Sequence, residues 1–219
     1  MKKVLNTLIS GQGNTFYLLS IVFLLSVLIE QTSVASAKHQ NLVDLISQSE
    51  RIVMGTVSDV SDGYNDKGIP YTQITLQVSE TLKGDPDSTY RFRQFGLISP
   101  TGSPSGSDYP GTSPVGFLRW ENGETVLVFL HQPARLTGLQ TTVGLSQGKL
   151  KKVHDRFESS TGISNLFENL VVEAGDLSSG QIDMLRDTGD SVDANLLLAL
   201  LRRAVNENWV GNGVMHYAN

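Results

Sequence analysis

Gly144-Leu145-Ser146-Gln147-Gly148 has the G-x-S-x-G spacing in which two glycines let a strained turn lift a serine hydroxyl to the head of a helix, poised to attack an ester or amide carbonyl. Asp155 and His216 follow in the Ser, Asp, His order of such hydrolases. The motif requires a strand, a turn and a helix. Lys149-Leu150-Lys151-Lys152-Val153 instead reads as a returning strand with no α/β repeat around it, so a hairpin turn is the favoured reading and a nucleophilic Ser146 the alternative. The four histidines, His39, His131, His154 and His216, share no helical or strand spacing that would hold one metal ion, and H-E-x-x-H is absent. His154 and Asp155 are neighbours, which on a strand point to opposite faces. Asp62, Asn65 and Asp66 offer oxygens suited to calcium, but without the EF-hand order and its bidentate glutamate, and turn formation accounts for them more simply. No metal or cofactor is expected. The chain has no cysteine, which excludes a thiolate zinc site, a cysteine nucleophile, a disulfide framework and a lipid-anchored lipoprotein.

A second set of residues suits binding rather than catalysis. Arg91 and Arg93 alternate with Tyr90 and Phe92, which puts a basic row on one strand face and an aromatic row on the other. The basic row fits contact with an anion, and a solvated face over a core face is the simpler account. Trp120 and Trp209 are placed as aromatic anchors, with core packing as the default for so large a ring. Tyr64 lies in the turn-rich run Ser61 to Gly68. Tyr109 lies in the Ser/Thr/Pro/Gly-rich segment 99–116, where Pro100, Pro104, Pro110 and Pro114 forbid a helix or a central strand. Long excursions of this kind are either functional or solvated insertions, and both readings stand. The ligand-binding candidates are therefore Tyr64, Arg91, Arg93, Tyr109 and Trp120. A net charge of −5 without a concentrated basic surface argues against a nucleic-acid partner.

These residues must be carried by something. Lys2 and Lys3, an apolar run from Phe16 to Ile29, and Val34-Ala35-Ser36-Ala37 form the three regions of a signal peptide, so residues 1–37 are expected to be an address cleaved after Ala37. The run is shorter than the roughly 20 apolar residues of a membrane-crossing helix, so no span is expected after cleavage. The mature chain is expected outside the cytoplasm, in the periplasm or the medium. Leu42, Leu45 and Ile46 have helical spacing, and Asn41 to Ser49 reads as a short helix. Ile52 to Val60 reads as a strand whose interior Gly55 marks a bulge or a close backbone approach. Strict alternation marks Thr72 to Leu82, and Tyr90 to Phe95 follows across a Lys-Gly-Asp-Pro-Asp turn. Thr125 to His131 reads as a buried strand, and Gly138 to Val143 and Lys149 to Val153 as short extended segments.

After His154 the pattern turns helical. Ile163, Leu166, Phe167, Leu170 and Val171 predict one helix and Ser178 to Arg186 a second. A third is capped by Ser191 and runs to Val205 with a leucine cluster that either packs on the β domain or meets a partner. The expected fold is mainly β with a helical C-terminal region: a small antiparallel OB-like barrel of five to six strands over 38–154, preceded by a short helix, then two to three helices over 155–219.

Arg51-Ile52-Val53-Met54-Gly55-Thr56-Val57, the alternating strand from Tyr71-Thr72 into Leu82-Lys83-Gly84, and Asn122-Gly123-Glu124-Thr125-Val126-Leu127-Val128-Phe129-Leu130 together resemble the OB-like barrels of netrin-like modules and tissue inhibitors of metalloproteinases. The same residues are similar to a broad set of uncharacterised secreted bacterial proteins. The resemblance implies a fold and no chemistry. The inhibitors' N-terminal cysteine wedge has no counterpart in a chain without cysteine. What it implies is binding of a protein, glycan or oligonucleotide through a strand face and neighbouring loops, here the Ser61 to Gly68 loop and the 99–116 segment, and the acidic charge leaves a protein or glycan as the expected partner. The sequence thus predicts an exported, non-enzymatic binding module. The alternatives are a protease inhibitor or companion using the 99–116 loop, and a small secreted serine hydrolase using Ser146.

Overall fold

The computed structural model describes residues 39–85, 87–98, 118–187 and 189–218. The expected signal peptide and the 99–116 excursion with Tyr109 lie outside them. Asn41 starts the first helix, its side chain accepting from the Val43 N–H at 2.9 Å as an N-cap should, and α1 (Leu42–Gln48) buries Leu42, Val43, Leu45 and Ile46. Strands β1 (Arg51–Tyr64), β2 (Pro70–Lys83), β3 (Thr89–Phe95), β4 (Thr125–Leu130), β5 (Lys149–Val153) and β6 (Arg156–Glu158) follow. After them come β7 (Leu170–Val172), α2 (Ser179–Arg186), β8 (Ser191–Asp193), α3 (Ala194–Asn206) and β9 (Met215–Tyr217). Seven strands form one antiparallel sheet in the order β3-β2-β1-β4-β5-β6-β8, and β7 pairs with β9 separately.

The ladders leave this sheet open, with β3 and β8 at its ends, instead of closing it into the expected barrel. Gln140 nevertheless ties β3 to the end of β4. Its backbone N–H donates to Arg93 O at 2.8 Å, its side-chain oxygen accepts from the Tyr90 hydroxyl at 2.8 Å, and its side-chain nitrogen donates to His131 O at 2.6 Å. The segment expected to be extended around it, Gly138 to Val143, contributes only the bridge Leu130–Thr142.

Both faces of the central strands are covered, which is why β4 reads as an unbroken apolar run and not as an alternation. On one face Ile52, Leu127, Phe129, Leu150, Phe157 and Val192 meet α1 and the leucines of α3. The leucine cluster therefore packs on the sheet, with Leu197, Leu198, Leu200, Leu201 and Ala204 buried. On the other face Val53, Val57, Val126, Val128 and Leu130 meet Ile74, Leu76, Phe92 and Trp120, so β1 and β4 bend round to enclose a second core with β2 and β3. Among the described residues no helix is long and apolar enough to cross a membrane.

Several local expectations change. β1 runs to Tyr64, so Ser61 to Tyr64 pair with Pro70 to Gln73 and only the tip of the expected loop remains. There the Asn65 carboxamide oxygen accepts from the Lys67 and Ile69 N–H groups at 3.0 and 2.9 Å. The helix expected through Ile163 and Val171 is instead a 3-10 turn, Ser164–Leu166, and strand β7, separated by Asn169 at a φ of 51°. Ser191 does not cap α3. It lies in β8, and Asp193 accepts from the Asn195 and Leu196 N–H groups, both at 2.9 Å. The sheet also continues past residue 154 through β6 and β8.

Gly55 faces β2 where the register shifts between Met54 and Gly55, and a Cβ placed there would lie 2.6 Å from the backbone oxygen of Gln77. Backbone cannot move aside as a side chain can, so Gly55→Ala should destabilise the fold by about 1–3 kcal/mol. Chemical denaturation measures this, and an unchanged midpoint would mean that β1 and β2 are further apart in solution.

Candidate functional site

The inner face of the sheet does not end with its apolar core. Period-two geometry carries it from Val128 and Val126 on β4 to Lys149 and Lys151, their partners on β5, and then to Glu158, opposite Lys151 on β6. β2 and β3 no longer cover it there. The result is a cleft of about 430 Å3 lined by Leu118, Arg119, Ser146, Lys149, Lys151, Glu158, Ser159 and Ser160.

Lys149 marks the boundary between core and cleft. Its side chain is 9% exposed, and its ammonium donates to Glu124 Oε1 at 2.5 Å and to Arg119 O at 2.8 Å, 4.4 Å from the centre of the Trp120 ring. Three donors and three acceptors of different kinds leave the cation satisfied. Glu124 is itself 5% exposed, and its Oε1 also accepts from the Glu121 N–H at 3.0 Å. Burial pulls the Lys149 pKa below the ordinary lysine value, and the hydrogen bond to Glu124 works against that. Trp120 stands edge-on to Phe92, with centroids 5.4 Å apart, and donates from Nε1 to Gln94 Oε1 at 3.2 Å. Gln94 Nε2 in turn donates to Leu118 O at 3.1 Å, which fixes the chain at the cleft edge.

Ser146 sits in the 3-10 turn Leu145–Gly148. The two glycines of its motif make that turn possible: Gly144 has a φ of 62°, and a Cβ on Gly148 would lie 2.3 Å from Val143 O. β5 follows where a nucleophile elbow would continue as a helix. Among the described residues the Ser146 hydroxyl has no hydrogen-bond partner. His216 instead faces Glu173 at 3.5 Å and contacts Tyr217 O, and Asp155 contributes its carbonyl to the Ala194 N–H.

The binding candidates are not gathered in one place. Trp120 lies inside, beneath Lys149. Arg91 and Arg93 are exposed on the outer face, where Arg93 stacks over Tyr71 at 4.4 Å and donates to Gln73 Oε1 at 3.2 Å. Tyr64 ends β1 opposite Pro70. Asp62 accepts from Thr72 Oγ1 at 2.8 Å, and its two oxygens accept from the Ile98 N–H at 3.0 and 2.9 Å, so it anchors the chain where β3 ends. Among the described residues no three His, Asp or Glu side chains gather as a metal site would require. Arg119, Lys149, Lys151, Glu158 and Ser160 were not singled out from sequence. The available signal was the two-residue spacing of Lys149 and Lys151, which puts both lysines on one face of a short strand. No protein-family model matches the chain and no curated protein matches it, so no residue role is inherited from a relative.

Proposed function

We propose that the chain is an exported, non-enzymatic binding module whose ligand seats in this cleft. One observation carries the reading: the Arg119 guanidinium and the Ser146 and Ser160 hydroxyls line the cleft without a hydrogen-bond or ion-pair partner among the described residues, while the cation at its floor is locked. Polar groups that the fold does not use are available to a ligand. A base that activates serine must hold its hydroxyl in a hydrogen bond, and among the described residues the Ser146 hydroxyl has no such partner, while Lys149 Nζ is committed to Glu124 Oε1 and Arg119 O. The bent inner face, with Gln140 spanning β3 and β4, supports an OB-like barrel and with it the netrin-like resemblance. The apolar, Ala-x-Ala-ended N-terminus supports export.

The second reading is a serine hydrolase, favoured by the free Ser146 hydroxyl in the same cleft. Incubation with a panel of nitrophenyl esters and peptide anilides separates the two. No turnover above background is expected, and Ser146→Ala should change nothing. Turnover that disappears with Ser146→Ala would establish the hydrolase and remove the module.

A further inference from the structure

We infer that the cleft takes an acidic saccharide, a sugar whose carboxylate is held by Arg119 and whose hydroxyls are held by Ser146, Ser160 and Glu158. This rests on the binding reading above and names its ligand. The volume of about 430 Å3 lies within the roughly 300–1,000 Å3 of small-ligand pockets. A guanidinium offers a planar fork that matches a carboxylate, and the one on Arg119 is exposed and uncommitted among the described residues. Serine hydroxyls both donate and accept, and an ionised Glu158 only accepts, which is the mixture needed by sugar hydroxyls that do both.

Other ligand classes fit less well. An extended peptide would add to a free strand edge, but β5 is already paired on both sides by β4 and β6. Among the described residues Leu118 is the one apolar residue lining the cleft, which gives little to hold the apolar side chains of a peptide. A neutral sugar would be expected to stack on an aromatic face, and Trp120 is 4% exposed with its ring turned to Lys149. A multiply charged phosphate would meet Glu158 in the cleft and Glu121, 3.7 Å from Lys151. A single carboxylate per sugar unit suits one uncommitted arginine.

The test is titration of the 15N-labelled protein with trigalacturonate and, separately, with neutral galactotriose, repeated with Arg119→Ala. Trigalacturonate should shift the amides of Ser146, Lys151 and Ser160 and bind less tightly as salt rises. Arg119→Ala, an exposed change, should weaken it by about tenfold or more, the usual worth of a charge-assisted hydrogen-bond pair. Equal binding of the two trisaccharides, or binding indifferent to Arg119→Ala, overturns the acidic ligand while leaving a binding cleft. Absence of cleft shifts with either sugar also overturns it. The hydrolysis assay with Ser146→Ala decides the underlying reading independently.

Discussion

Lys149→Ala is expected to lower the unfolding free energy by about 3–5 kcal/mol, because removing one member of a buried ion pair leaves the other charged and unpaired. The survivor is Glu124, 5% exposed, with only the Glu121 N–H still directed at the oxygen that Lys149 held. The Arg119 carbonyl loses its donor too, and the Trp120 face loses its cation. Replacing both charges, as in Lys149→Met with Glu124→Leu, should recover most of the loss, since a well-packed apolar pair avoids the desolvation that the ions suffer. Urea denaturation of the two single variants and the double variant forms the required cycle. A Lys149→Ala variant within 0.5 kcal/mol of the parent, well below the about 3 kcal/mol floor for a broken buried pair, would mean that the pair is hydrated in solution.

The same lysine has a signature in pH. Its pKa is lowered in the fold by burial, so between that lowered value and the ordinary lysine value of about 10.4 the unfolded chain holds more protons than the folded one. Stability contributed by Lys149 therefore rises with pH across that window. Removing the lysine removes that rise.

Trp120→Ala is expected to cost a similar amount, about 3–5 kcal/mol, the range for emptying a large aromatic site. The indole fills the space between Phe92 and Lys149, so its loss would join the inner core to the cleft. Gln94, itself buried, would keep its amide but lose the indole N–H that satisfies its oxygen. Trp120→Phe restores a ring face for the cation without that donor and should cost about 1–3 kcal/mol, the penalty for one buried unsatisfied acceptor. Thermal unfolding followed by circular dichroism measures both. A loss below about 1 kcal/mol for Trp120→Ala is too small for a buried indole and would place the ring at the surface.

The parts of the fold legible in sequence are those where one physical rule acts alone. Alternation along Thr72 to Leu82 located β2, the spacing of Leu42, Leu45 and Ile46 located α1, and the segment Ser178 to Arg186 read as the helix α2, which the structure starts with a capping box of Ser178 and Gln181. Gly55 was marked by being a glycine inside a strand, and the close approach is to Gln77. Other parts depend on partners distant in sequence. β6, β7, β8 and β9 are three residues each, too short to show a period, and exist because a neighbour supplies the other half of the ladder. The apolar spacing of Ile163 to Val171 fits a helix as well as it fits a 3-10 turn leading into a strand, and the pairing of Leu170 with Tyr217 decides between them. Ser191 and Asp193 are both able caps, and the pairing of Ser191 with Glu158 leaves the role to Asp193. The candidate site was partly legible: Ser146 and Trp120 stood out, but nothing local tells that β2 and β3 stop short of β5 and leave Lys151 and Glu158 uncovered.

The first helix is buried in part by what is made last. Asn41 donates to Glu168 O at 2.9 Å, α1 packs against β9, and its leucines share a core with α3 and Trp209. In the middle of the sheet Arg51 pairs with Leu130, across a long stretch of chain. Such non-local closure makes folding slow and leaves little for an unfinished chain to gain by folding early. A chain lacking residues 194–217 would leave Ile52, Leu127, Phe129 and Leu150 without the α3 leucines that share their core. One half of the hydrophobic core is therefore closed only when residues 194–206 reach the sheet.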